Sequence, residues 1–273
     1  AVGAQTVSAA DAARYALDGE NGVLLFADND GETAPVAVSA VSVTGAVLSA
    51  AQIAEMGGTT AGGAVLPDGV EGARFRASEL GFKPQEGTGS LEPRGDFALG
   101  QVTDVGLGVP LPPAPTETMA AVLVSASTGD NGLVLSPGIA GTDGHLASYS
   151  LAFDLMVPAA TAAGYMSLLQ SSAVSGGDAD MFMKLSGAGF SLGTMSDYAG
   201  EISLDSWHRV VLTFAEDNGR LIISKYVDGV LVGAQDVAAD ARFACLERGE
   251  KAFCWRAVPL LASGLRTIGR EIQ

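Results

Sequence analysis

Residues 207–235 read WHRVVLTFAEDNGRLIISKYVDGVLVGAQ, and this run restricts the fold more than any other. Val210, Leu212 and Phe214 alternate with Val211 and Thr213, the two-residue period of a strand with two different faces. Glu216-Asp217-Asn218-Gly219 is a hairpin turn, because Asn and Gly accept positive φ. Leu221 to Val227 resumes the strand, and Asp228-Gly229 is a second tight turn. The run is therefore a meander of antiparallel strands. SYSLAFDLMV (148–157) and YMSLLQ (165–170) add two further strands, and DMFMKL (180–185) with GFSL (189–192) adds a hairpin.

The meander ends on a repeated sequence. Val232-Gly233-Ala234-Gln235 repeats Val2-Gly3-Ala4-Gln5, 230 residues earlier. The match continues through Val7 and Val237. After a one-residue slip it reaches Ala9-Ala10-Asp11-Ala12 and Ala238-Ala239-Asp240-Ala241, then Arg14-Tyr15-Ala16 and Arg242-Phe243-Ala244. The order of the whole set argues for two copies of one unit. After the first copy, Val23–Phe26 reads as a buried strand and Val36–Val43 as an alternating one. Ser49 is placed to N-cap a short helix with Gln52 at the third position. Ile53 and Met56 would face the core, and Gly57-Gly58 would end the helix.

Residues 1–58 thus read as the end of one unit and residues 119–240 as the beginning and middle of the next. Between them, 59–118 is rich in Gly and Pro, with one ordered-looking piece, ARFRASELGF (73–82), and reads as a linker of limited structure. Residues 241–273 change character. They carry five of the eleven arginines and both cysteines, Cys245 and Cys254. The first 239 residues carry 27 acids and 9 bases, whereas 240–273 carry 4 and 6. A divergent terminal repeat and a reading-frame slip in a GC-rich coding sequence both account for this tail.

The Trp-His, hydrophobic strand, turn and Tyr-Val-Asp-Gly hairpin of 207–235 resemble the central motif of laminin-G-like (concanavalin A-like lectin/glucanase) domains of bacterial secreted proteins. YSLAFDLMVP is similar to that family's opening strand, and LLFADNDGE…LSAAQIAEMGG to its closing strand and helix. The resemblance covers about two thirds of the chain, 1–58 and 119–240. It implies an all-β, jelly-roll β-sandwich of two antiparallel sheets. It also implies a non-catalytic module that binds glycans or proteins within a larger secreted or surface protein. The family's closing strands should follow the second VGAQ, and 245–273 do not supply them. Residues 1–58 could dock as those strands and complete the sandwich in permuted order. A long connection adds little entropy cost to such closure.

Composition narrows the partners. With 31 acids against 15 bases the net charge is −16, which disfavours nucleic acid and anionic membranes. No apolar run reaches the length of a membrane span. Two cysteines make no disulfide framework, and a first residue of Ala fits a processed chain or a fragment.

Candidate site residues are suggested by residue type. Trp207 and His208 form a potential stacking platform for sugar, although at the start of a strand Trp207 also reads as core and His208 as surface. Tyr165, Tyr198 and Tyr226 could supply a binding face. Tyr198, in the loop-like TMSDYAGEIS, is the best placed, whereas Tyr226 reads as packed across strands. Asp28 and Asp30 in DNDGE are candidate Ca2+ ligands, and Asp178 and Asp180 are a second such pair; both stretches also read as ordinary turns. The spaced carboxylates of sandwich glucanases are missing, as are a Gly-x-Ser-x-Gly elbow and a phosphate-binding glycine loop. His145 and His208 are the only histidines, and neither has a neighbouring ligand pattern. The expectation is a binding module for glycan or an extracellular protein. A structural or adhesive repeat is the alternative, and a glycoside hydrolase or lyase ranks last.

Overall fold

The computed structural model describes residues 17–18, 22–28, 31–78, 81–95, 99–102, 121–126, 131–139, 145–146, 148–162, 164–171, 180–194, 197–217 and 220–236. In chain order the elements are β1 (Leu17–Asp18), β2 (Val23–Leu25), β3 (Val36–Thr44), helix α1 (Ala50–Met56), β4 (Gly72–Ser78), β5 (Gly81–Glu86), β6 (Ser90–Arg94), β7 (Leu99–Val102), β8 (Ala121–Val124) and β9 (Gly132–Ser136). They continue with β10 (His145–Leu146), β11 (Tyr149–Met156), β12 (Tyr165–Gln170), β13 (Met181–Ser186), β14 (Gly189–Thr194), β15 (Asp197–Ser203), β16 (His208–Asp217), β17 (Arg220–Val227) and β18 (Val230–Asp236).

These strands form a β-sandwich of two large antiparallel sheets. The first sheet runs β18-β17-β16-β11-β3-β4-β5, with β8 on β3 and β7 on β8. The second runs β15-β14-β13-β12-β2-β9-β6, and β1 pairs separately with β10. The expected alternation holds in β16: Val210, Leu212 and Phe214 enter the main core, while Val211 packs in a smaller cluster outside it. The Asp228-Gly229 turn is also as expected. Both residues have positive φ (51° and 83°), the geometry that matches strand twist in a two-residue hairpin.

The N-terminal segment lies inside the sandwich. β2 sits between β12 and β9, with Leu25 opposite both Leu169 and Leu133. β3 sits between β11 and β4: Val43 faces Leu151 on one side and Ala73 on the other. Since β11 pairs in turn with β16, β3 joins the sheet of the meander, while β2 takes a central place in the facing sheet.

Residues 59–118 differ from expectation. They contribute β4, β5, β6 and β7, of which only the 73–82 piece was legible as ordered. β5 and β6 end their sheets, and each carries a proline, Pro84 and Pro93, which edge positions tolerate because one side makes no ladder bonds. Such strands lack a long apolar period and so read as linker.

Helix α1 has the predicted capping box. The Gln52 backbone N–H donates to Ser49 Oγ (3.3 Å), and the Ser49 N–H donates to Gln52 Oε1 (2.9 Å). Ile53 is fully buried with Ala152, Val211 and Tyr226, and Met56 packs beside them. The helix therefore covers part of the outer face of the first sheet, and Trp207 with β8 covers Ala37 and Met156; every residue of β3 and β11 is buried. Beneath the helix end, Arg209 makes a two-pronged ion pair with Asp154, its strand partner: Nε–Oδ1 and Nη2–Oδ2 are both 2.7 Å. Arg209 Nη1 also donates to the Met56 carbonyl (2.6 Å), satisfying one orphan acceptor of the last helical turn. Burial pushes the Asp154 carboxyl above its ordinary range, against the pull of Arg209. No helix among the described residues is long and apolar enough to cross a membrane.

Candidate functional site

The outer face of the second sheet carries an aromatic cluster. Tyr165 on β12 lies directly opposite Lys184 on β13. On the same face, Phe182 and Tyr198 both pair with Gly193 of β14. The Tyr165 and Tyr198 rings meet edge to face at 6.1 Å, and Tyr165 meets Phe182 the same way at 6.2 Å. Lys184 Nζ stands 5.4 Å from the centre of each tyrosine ring. That distance is within cation–π range for both.

The outward aim of Tyr198 comes from a β-bulge. Ile202 pairs with Phe190 and Ala199 with Leu192, so two residues, Gly200 and Glu201, oppose the single Ser191. Gly200 has φ +78°, the left-handed geometry that begins this kind of bulge. Ile202 and Ala199 consequently both face inward, although three residues apart, and Tyr198 faces outward.

The strand end that bears Tyr198 is braced from the opposite sheet. Lys225 occupies an inward position of β17, in phase with Leu221, Ile223 and Val227, and is fully buried. Its Nζ donates to the Asp197 carbonyl (3.0 Å) and to Gln235 Oε1 (3.2 Å), with Asp197 Oδ1 at 3.6 Å. Gln235 Nε2 donates in turn to the Thr194 carbonyl (3.0 Å). Burial lowers the Lys225 ammonium from its ordinary range, and Asp197 opposes the shift. Burial, then the neighbouring Tyr165 and Glu32, push the Tyr198 phenol up to about 12, so it remains a proton donor at neutral pH.

Trp207 and His208 do not join this cluster. Ser203, which meets His208, is five residues along β15 from Tyr198, about 17 Å in an extended strand. Trp207 is partly buried against Ala37, Ala121 and Met156 of the first sheet, in agreement with its reading as a packing residue. His208 is not the free surface residue that its position suggested. Its Nε2 is 2.7 Å from Ser203 Oγ, and its Nδ1 is 2.7 Å from Asp228 Oδ2. Asp228 Oδ1 accepts from the Arg209 N–H (2.8 Å), and the Asp228 N–H donates back to the Arg209 carbonyl. The arrangement ties β15, β16 and the β17–β18 turn together. Tyr226 is buried under α1, packed as expected.

The calcium candidates separate. Asp28, fully buried after β2, accepts from the Glu32 N–H (3.4 Å) and closes its own loop. Asp180, before β13, accepts from the Ser171 N–H (2.7 Å) and Oγ (2.6 Å). The two lie toward opposite ends of β12. Asp30, Asp178, Cys245, Cys254 and the tail fall outside the described residues. Among the described residues no group of three His, Cys, Asp or Glu side chains is placed to hold a metal ion.

Lys184, Phe182, Lys225, Ser203 and Asp228 were missed as site or support residues. Lys225 had a legible signal, a lysine in phase with the apolar face of its strand. The others depend on which strands become neighbours. Comparison with family models, with curated proteins and with solved structures returned no match.

Proposed function

We propose that the chain is a non-catalytic binding module that takes glycan on the face formed by Tyr165, Lys184 and Tyr198. The observation that carries this reading is the pair of tyrosine rings bracketing one ammonium. Aromatic faces offer apolar area to the C–H face of a sugar ring, and the phenols and ammonium offer donors to its hydroxyls. Lys225 and Gln235 hold the Tyr198 end of the strand in place, which reduces the ordering cost of binding. In this reading the module belongs to a secreted or cell-surface protein, and the acidic charge keeps it off nucleic acid.

Ser203, His208 and Asp228 have the atom order of a nucleophile–base–acid relay. We read them as a clasp, since Asp228 also fixes the Arg209 backbone inside the hairpin.

A glycan array probed with and without Ca2+ tests the reading. Binding is expected, with Tyr198→Ala and Tyr165→Ala each weakening it about tenfold or more, the loss of an aromatic anchor. Silence in both arms, or full binding by Tyr198→Ala, would favour a surface protein as partner or a purely adhesive repeat. Labelling of Ser203 by a fluorophosphonate would overturn the non-catalytic part.

A further inference from the structure

The segment that fills the centre of the sandwich is also the segment that comes after a VGAQ strand. The second VGAQ lies within β18 (Val230–Asp236). By the repeat, Thr6 corresponds to Asp236, and the residues after Thr6 lead to β1, β2, β3 and α1. The unit therefore has two candidate orders. One is the order of this chain, with the segment ahead of β4. The other is the order of the repeat, with the segment after β18.

The fold makes both orders reachable. Asp236 pairs with Ile222, and Ile222 with Ala215. Ala215 lies one step beyond the Phe214–Tyr149 pair, beside the start of β11. Three residues before Tyr149, Leu146 of β10 pairs with Leu17 of β1. The end of β18 and the start of β1 are thus at the same end of the molecule: three strand spacings to β11, three residues back to β10 and one more spacing to β1, at most about 30 Å in all. Residues 7–16 separate them in repeat order, and ten residues reach at most about 35 Å. At the other end of the segment, the C-terminus of α1 lies on the β17–β18 turn. There Gly58 abuts Asp228, and Gly229 abuts Ala54 and Gly57.

We propose that residues 17–58 are an exchangeable closing segment. Their slot between β9 and β12 in one sheet, and between β11 and β4 in the other, accepts the equivalent segment attached after β18 as readily as the one attached before β4. The partner that fits the slot is the same segment of a second copy of the unit. In a chain with consecutive copies, neighbouring sandwiches close on each other's segments. Two separate copies of this chain can trade them through residues 59–71.

A circular permutant tests this. It begins at residue 59, runs to Asp236 and continues from Val7 to Gly58. Ser42→Cys and Ala152→Cys, register partners on β3 and β11, report the docking in the permutant, which lacks Cys245 and Cys254, and in the full chain with those two changed to Ser. The expected result is a monomeric permutant that melts within about 5 °C of the full chain and forms the 42–152 disulfide. The full chain, incubated at high concentration before oxidation, should also yield dimers linked through the same pair. A second permutant with a short Gly-Ser insert at the junction separates a cramped connection from a slot that rejects the segment. Formation of the disulfide in either permutant supports the proposal. Its absence from both, while the full chain forms it, overturns the proposal, and a full chain that never links across copies overturns the trading between chains.

Discussion

Two carboxylates show how strongly placement governs a side chain here. Asp154 and Asp228 both engage Arg209, yet their acidities move in opposite directions. Asp154 is buried beneath α1 and is pushed up by desolvation, which its ion pair only opposes. For Asp228 desolvation also raises the carboxyl, but the hydrogen bonds from His208 and the Arg209 backbone outweigh it, and the carboxyl ends below its ordinary range. A depressed carboxyl contributes stability that is present above the unfolded value, near 3.8, and is lost as pH falls through the lower folded value. Asp228→Asn is therefore expected to destabilise the protein at neutral pH by about 1 kcal/mol, the low end for charge-assisted bonds at a partly exposed site. Once the pH has fallen below the depressed folded value, the variant and the parent should converge. Urea titrations from neutral pH down into that acid range check this, and a gap that persists at low pH would contradict it.

At the scale of elements, α1 was the most legible part of the chain. Its cap, its buried Ile53 and its terminal glycines all lie within ten residues, so local sequence sufficed. Ser49→Ala should cost about 1 kcal/mol, because the Gln52 N–H loses its acceptor. The melting temperature should fall by a few degrees, with the near-ultraviolet spectrum retained; an unchanged melting temperature would mean that packing on Val211 and Tyr226 alone holds the helix. β16, β17 and β18 were legible for a related reason, being strands joined by turns with their own chemistry. β5 and β6 were not, since an edge strand with proline needs only one partner and shows little apolar period. The aromatic cluster was half legible. Tyr165 and Tyr198 stood out by type, but their meeting with Lys184 depends on β12, β13, β14 and β15 lying side by side.

Across the whole molecule, the excess of 16 negative charges sets the response to salt. Two of the cations, Arg209 and Lys225, are buried in local partnerships and do little to relieve repulsion among surface carboxylates. Raising ionic strength shortens the Debye length to about 3 Å at 1 M, so NaCl should raise the melting temperature by a few degrees. A melting temperature that falls with NaCl would show that attractive pairs dominate instead. The placement of 17–58 in both sheets was legible as an option, because the repeat identified which strands the second copy lacks. Which neighbours those strands take was not, since pairing partners more than a hundred residues apart leave no local trace. The bulge in β15 also bears on how this surface can change over generations. The outward direction of Tyr198 depends on Gly200 and Glu201 opposing one residue, which is a matter of odd or even count rather than of side-chain identity. Point substitutions alter this outward face one group at a time. Closing the bulge at the present strand length would instead turn Tyr198 into the core and bring Ala199 out, whereas loss of either Gly200 or Glu201 would remove the bulge and leave Tyr198 opposite Gly193, still facing outward. A one-codon deletion at the bulge therefore straightens the strand without moving the tyrosine to the other face.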